Sequence, residues 1–151
     1  MDIAYKKQVA QQYENLIESV TQMQDRVYLD METVYADWIH LVTDEYAMGN
    51  KGALKLIVRK AASGTPEAKW AWSKRVVTLS GSKMHFEDIR ISKARTYPMT
   101  KFRKAAEWER SLVTVIEPVL TSLRREYIKL SDCKRHLRVA KANHESMTTG
   151  M

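Results

Sequence analysis

The residues best suited to chemistry are the cations concentrated in the middle of the chain. Residues 51–104 hold fourteen Lys and Arg against three acids, whereas residues 1–50 hold three against nine. Lys and Arg neutralise phosphates, and the aromatic side chains among them can stack on unpaired bases. The pattern predicts binding to DNA or RNA through Lys55, Arg59, Lys60, Lys69, Trp70, Trp72, Lys74, Arg75, Lys83, Arg90, Lys93, Arg95, Lys101, Arg103 and Lys104.

Two other interpretations of the same segment stay open. An inhibitor, scaffold or particle assembly component would dock such a segment on an acidic protein surface by charge complementarity. Alternatively, the cations are a solvated face, with Trp70 and Trp72 in the core. A smaller basic face at Lys134, Arg138 and Lys141 either extends a phosphate-binding track or is the outer side of a packed helix.

No pattern of a catalytic or metal site occurs in the sequence. It lacks a phosphate-binding glycine loop before Lys-Ser/Thr, a glycine-rich dinucleotide turn and a Gly-x-Ser-x-Gly elbow. No two of the four histidines stand three or four residues apart, and Cys133 with His136 supplies only two ligands. The expected protein is not an enzyme and carries no metal or cofactor.

The location is expected to be cytoplasmic. A single cysteine, Cys133, excludes an intramolecular disulfide, which suits a reducing compartment. The first residues are polar, and no apolar run approaches the length of a membrane span. We therefore expect a soluble intracellular protein with no membrane partner.

The first segment has the apolar spacing of one long helix, roughly Ile3 to Tyr46. Alternating steps of three and four residues are typical of a coiled-coil-like helix that packs along its length, in the same chain or against a second copy. The apolar series is Val9, Tyr13, Leu16, Val20, Met23, Val27, Met31, Val34, Trp38 and Leu41.

The middle segment, residues 49–99, reads as short elements. Residues 53–62 suggest a short helix, and Thr65-Pro66-Glu67 suggests the start of a second. The two would resemble a helix-turn-helix, but Thr65 and Ser73 stand where apolar residues are expected, so a plain helical hairpin is favoured. Residues 76–99 fit a β-hairpin or a loop and helix; the latter is preferred because no other sheet is apparent.

The last segment, residues 100–146, predicts a second long helix, kinked or broken near Pro118, with a frayed tail at 147–151. The whole is predicted to be a single all-α domain, residues 1–151. Its acidic helix, residues 1–48, would pair antiparallel with the last helix. Such a narrow core favours a homo-oligomer through the long helices.

Overall fold

The computed structural model describes residues 2–149, with side chains as far as Met147. Two compact units are present: one combines the residues up to Tyr28 with those from Glu126 onward, and the other is Leu29–Arg125. In chain order the elements are α1 (Ile3–Ala47), β1 (Leu54–Lys60), β2 (Pro66–Thr78), β3 (Gly81–Asp88), a short 3₁₀ turn (Met99–Phe102) and α2 (Glu107–Thr149).

The prediction of an all-α fold is wrong, because a three-stranded antiparallel sheet occupies the middle of the chain. The strand order is β1-β2-β3, and β2 pairs with both neighbours. Residues 53–62 and those after Thr65 are therefore strands, not the two predicted short helices, and no helix-turn-helix exists there. The hairpin alternative for residues 76–88 is the correct one, since β1 and β2 supply the sheet that was thought to be missing.

Two turns close the sheet. Between β1 and β2, the amide of Ala61 donates to the carbonyl of Thr65 at 2.8 Å, and Gly64 takes a φ of +85° that a side chain would oppose. Pro66 is the first residue of β2, a position at which the missing N–H of proline does not interrupt the strand. Thr65-Pro66-Glu67, interpreted as a helix start, thus belongs to the turn between β1 and β2 and to the start of β2.

The core of the second unit forms where the helices cover one face of the sheet. Leu56 and Trp70 are register partners on that face and are almost fully buried. Trp70 meets Trp38 of α1 edge-on at 4.9 Å and Phe102 edge-on at 5.7 Å between ring centroids. Met31, Val113 and Leu120 complete the apolar surroundings with no exposed surface.

In the other unit, the two helices pair antiparallel. Gln24 donates to Ser131 at 2.9 Å, and Lys141 forms an ion pair with Glu14. Glu14 lies ten residues before Gln24, and its partner Lys141 lies ten residues after Ser131. The two helices therefore run antiparallel. Tyr13 also packs against His144, with ring centroids 6.3 Å apart.

The helix α2 differs from the predicted helix at both its start and its middle. It begins at Glu107, where the Glu109 carboxylate accepts from the Ala106 amide at 3.0 Å, the N3-to-N-cap contact of a capping box. Pro118 lies inside the helix without ending it, because the buried residues on either side hold both halves in place. The tail predicted to fray is helical through Thr149; residues 150 and 151 lie outside the described residues.

Candidate nucleic-acid interface

The antiparallel register separates the sheet into two faces. The covered face carries Leu54, Leu56 and Trp70 against the helices. The opposite, open face carries the cations Lys55, Arg59, Lys69 and Arg75, which alternate with the covered residues as a period of two requires.

Beyond its base, the β2–β3 hairpin has no core on either face. Every residue from 74 to 88 is exposed. We call residues 73–86 the hairpin arm: it contains Lys74, Arg75, Lys83 and His85 and no acid. With six residues per strand the arm is about 20 Å long. An isolated two-stranded hairpin is marginally stable, so its attachment to β1 at the base is what keeps the arm formed.

The end of the arm is apolar and narrow. Thr78 and Gly81 are the last register partners, so Leu79 and Ser80 alone make the turn, and Gly81 takes a φ of +122°. The Thr78 hydroxyl donates to the Gly81 carbonyl at 2.6 Å, which ties the turn across its base. Leu79 is fully exposed and Val77 is 85% exposed.

Three of the cations on the open face of the sheet already have partners within the chain. On the open face Lys69 contacts Asp88 at 2.9 Å, Arg59 contacts Glu67 at 3.1 Å, and the Lys55 ammonium lies 4.0 Å from the Phe86 ring centroid. These groups are less available to a ligand than their number suggests.

On the other face of the hairpin, Lys74 forms an ion pair with Glu87. The hydrogen bond and charge of Lys74 lower the pKa of Glu87, and the charges of Lys104 and His85 lower it further. Lys104, which precedes α2, therefore lies near this face, so cations from the arm and from the following loop come together around one carboxylate.

The loop from residue 89 to residue 106, which we call the basic loop, has no acid. Six exposed cations occupy it: Arg90, Lys93, Arg95, Lys101, Arg103 and Lys104. The first five of these, together with Arg75 and Lys83 of the arm, make no side-chain hydrogen bond or ion pair with any other residue between 2 and 149. These seven charges remain available for an external polyanion.

Arginines of α2 hold the basic loop in place through its carbonyl groups. Arg110 donates to the carbonyl of Arg103 at 3.0 Å, and Arg125 donates to that of Ala94 at 3.1 Å. Arg124 donates to the carbonyl of Arg95 at 3.2 Å. Since Arg95 has a φ of +62°, which is rare for a residue with a side chain, the loop makes a strained turn at this contact.

Arg124 also forms a buried ion pair with Glu117. Its Nη1 and Nη2 atoms lie 3.0 and 2.8 Å from the two carboxylate oxygens, and its Nε donates to the Ala68 carbonyl at 2.9 Å. Glu117 further accepts from the Trp70 indole at 3.1 Å and the Tyr97 amide at 3.1 Å. The Thr121 hydroxyl donates to the same carboxylate at 2.7 Å.

The protonation state of Glu117 follows from these contacts. Burial raises the pKa of this carboxyl, but the hydrogen bonds and charge of Arg124, with those from Thr121 and Trp70, outweigh burial and leave the pKa below its ordinary value. The carboxylate is thus ionised and fully occupied by donors. It is suited to holding α2, β2 and the basic loop together, not to exchanging a proton with a substrate.

The residues predicted to bind nucleic acid fall into three groups. Trp70 is completely buried and bonded to Glu117, so it cannot stack on a base, and Trp72 is half-buried opposite Leu54. Lys55, Arg59, Lys69 and Lys74 are engaged as described above, and Lys60 also has an interaction within the chain. The remainder lie on the arm and the basic loop: Arg75, Lys83, Arg90, Lys93, Arg95, Lys101, Arg103 and Lys104.

Sequence reasoning missed the residues that position these cations. Glu109 is buried and accepts from the Leu54 amide at 2.8 Å, which fixes the start of β1 beside the start of α2. Gly52 makes this approach possible, since a Cβ there would lie 2.5 Å from the Glu109 carboxylate. A signal for the Glu117–Arg124 pair was present: the two stand seven residues apart, two helical turns, in the apolar stripe of α2.

A groove of about 470 Å³ lies beside the basic loop, lined by Thr96, Met99, Pro118 and Arg125 among others. Its one carboxylate, Glu117, has no free oxygen for a ligand. Within the described residues, no three His, Cys, Asp or Glu side chains are grouped to hold a metal ion. Over the same part of the chain, neither long helix is apolar enough to cross a membrane.

The fold and the site define a mixed helix–sheet protein with an exposed basic hairpin and a basic loop supported by a buried ion pair. Residues 7–138 match the family described as MobI protein, and the chain belongs to that family. The match includes all of Leu29–Arg125, part of the other unit and the whole candidate interface. No curated protein and no solved structure matches the chain.

Proposed function

We propose that this protein is a non-enzymatic nucleic-acid-binding accessory or assembly subunit that contacts phosphates with the hairpin arm and the basic loop. The observation that carries the proposal is the set of seven unpaired cations on the arm and the basic loop, two acid-free segments separated only by Glu87 and Asp88. An exposed basic surface of this kind attracts a polyanion and releases its counterions on binding.

The pairing of the other cations supports the same surface. On the open face, Arg59 and Lys69 already have carboxylate partners, so a ligand would have to displace Glu67 and Asp88 to use them. Arg75 and Lys83 require no such exchange. Phosphate contacts are therefore assigned to the arm and the basic loop ahead of the rest of the sheet.

The protein is proposed to act inside the cell, where nucleic acid is available and Cys133 stays reduced. Self-association through the long helices stays a prediction.

The test is fluorescence anisotropy of labelled single- and double-stranded DNA and RNA at several salt concentrations. The variant Arg75→Gln/Lys83→Gln should bind about tenfold or more weakly and lose roughly two from the slope of log affinity against log salt, because each phosphate contact contributes about one. Its unfolding midpoint should equal that of the unmodified protein, since neither side chain has a partner to lose.

A matched control removes the same charge elsewhere. Lys7→Gln/Lys129→Gln changes two exposed helical lysines and should leave affinity nearly unchanged. Equal losses in the two variants would mean that net charge, not the arm, governs binding. No binding to any nucleic acid at low salt would reject the proposal and favour an acidic protein surface as the partner of the basic segment.

A further inference from the structure

The end of the arm has a chemistry that phosphate binding does not explain. Leu79 and Val77 expose nearly all of their apolar surface at a site with no neighbouring core. Exposed apolar groups are costly in water unless a partner covers them. A binding surface made only of cations would gain nothing from an aliphatic tip.

The turn at the end of the arm is held by hydrogen bonds and lies between two cations. The Thr78 hydroxyl closes the turn on the Gly81 carbonyl and also bonds to the Ser80 hydroxyl at 3.2 Å. Arg75 and Lys83 stand a few residues behind the tip on opposite faces of the hairpin. Leu79 is thus presented at the end of a narrow ribbon with an unpaired cation on each side.

Single-stranded nucleic acid is a poor fit for this tip. Stacking on unpaired bases needs accessible aromatic faces. Phe86, on the open face of the arm, is 41% exposed and has the Lys55 ammonium 4.0 Å from its ring centroid, and Trp70 is buried. The arm therefore offers no series of free rings on which successive bases could stack. An aliphatic wedge instead suits base pairs, because apolar side chains inserted between base steps unstack and kink a duplex.

Double-stranded DNA fits better than double-stranded RNA. A-form RNA is recognised mainly by 2′-hydroxyl and phosphate contacts across a shallow groove, and a leucine has no hydrogen bond to offer there. In B-form DNA, flexible pyrimidine–purine steps unstack at low cost. The phosphates flanking such a step would then lie within reach of cations on both sides of the ribbon.

We infer that the arm binds double-stranded DNA with Leu79 inserted between base pairs and with Arg75 and Lys83 on the flanking phosphates, so that the duplex is bent. Val77, next to the turn, covers the unstacked base from the side. This inference rests on the proposed nucleic-acid binding and names the form of nucleic acid that the same site takes.

The experiment measures bending and affinity together. A duplex of about thirty base pairs with a central TA step carries a donor and an acceptor dye at its ends, so that bending raises energy transfer. The intact protein should raise the transfer. Leu79→Ser should abolish the rise and weaken binding about tenfold, from the lost burial of one leucine side chain. Its salt slope should be unchanged because its charge is unchanged.

Leu79→Met is the matched control, since it keeps an apolar side chain of similar volume and should keep the bend. Binding without bending, or equal bending by Leu79→Ser, would overturn the insertion while leaving the proposed function intact. Preferential binding to single strands or RNA would do the same. If no nucleic acid binds but phosphatidylserine vesicles do, and Leu79→Ser abolishes that, both the insertion and the proposed function fail.

Discussion

The buried ion pair of α2 and the hairpin arm use the same kinds of charged side chain in opposite ways. Arg124 has a partner for its Nε and for both terminal nitrogens, and its side chain is 7% exposed. Arg75 and Lys83 have none among the described residues and stand in solvent. Charge that is paired and buried fixes the structure, whereas charge that is exposed and unpaired is left for a ligand.

The buried ion pair and the hairpin arm also differ in their surroundings. The ion pair lies under Trp70 and Tyr97, where low polarity makes any missing partner expensive. The arm has no core, so we expect it to tolerate substitution. A change in the first region should therefore reduce stability, and a change in the second should reduce binding alone.

The largest effect is expected from Arg124→Met. Removing the guanidinium leaves Glu117 ionised and buried without its main partner, which should cost about 3–5 kcal/mol of unfolding free energy. Burial then raises the pKa of Glu117 above its unfolded value, so the loss should shrink as pH falls and the carboxyl is protonated. Urea unfolding at neutral and at acid pH measures both.

Arg125→Met is the control, because this neighbour is exposed and makes one hydrogen bond to a loop carbonyl. It should cost about 1 kcal/mol or less. If the two variants unfold at the same urea concentration, the buried pair does not support the structure.

A second, smaller loss of stability is expected from Gly52→Ala. The new methyl would lie 2.5 Å from the Glu109 carboxylate and 2.7 Å from the Trp108 ring, so both side chains must move and the Glu109 contact with the start of β1 is disturbed. Overpacking of this kind costs about 1–3 kcal/mol. Thermal unfolding measures it, and Gly52→Ala combined with Glu109→Ala should lose less than the two single changes added together. Simple additivity would show that the contact is not responsible.

Arg95→Gly should separate stability from binding in a single variant. Glycine removes the strain of the positive φ at this position, which should raise the unfolding free energy by about 0.5–1 kcal/mol after its own entropy cost. The same change removes an unpaired cation, so affinity for nucleic acid should fall. A melting curve tests the predicted gain in stability, and an anisotropy titration tests the predicted loss of affinity. A variant less stable than the unmodified protein would contradict the first prediction.

The smallest effect concerns the base of the arm. Because the pKa of Glu87 is lowered in the folded protein, its pair with Lys74 stabilises the arm above the ordinary carboxyl pKa and is lost as pH falls through the lowered value. The NMR signals of the Lys74 side chain should therefore shift in acid. Glu87→Gln should remove that titration, and an unchanged titration would assign it to another group.

The helices were the predictable part of the fold. Apolar spacing predicts a helix from about Ile3 to Tyr46, and α1 is Ile3–Ala47. The prediction of which α1 residues face inward was less accurate. Leu16 and Met23 are more than half exposed, while Gln24 is buried. A real helix turns once in 3.6 residues, so a strict heptad assignment drifts around its surface.

The strands were not predicted because their sequence fits both the period of a helix, 3.6 residues, and the period of a strand, two residues. Consecutive aliphatic residues from Leu56 to Val58 fit a helix, yet Leu54, Leu56 and Val58 alternate with Lys55 and Arg59 in the period of a strand. Antiparallel pairing with β2 decides between the two, and the partners in that pairing stand six to eighteen positions away. Ion pairs also join residues that are distant in sequence. The composition therefore located the cations, but only the fold shows which of them are paired.

The most direct test of the account is hydrogen–deuterium exchange of the whole chain with and without a DNA duplex at low salt. Exchange should slow in residues 73–88 and 89–104, where the unpaired cations lie. It should not change in residues 113–124, which contain the buried Glu117–Arg124 pair. Unchanged exchange in the arm and the basic loop, with slowing confined to α1 or to residues 126–147, would contradict the account and move the interface to the long helices.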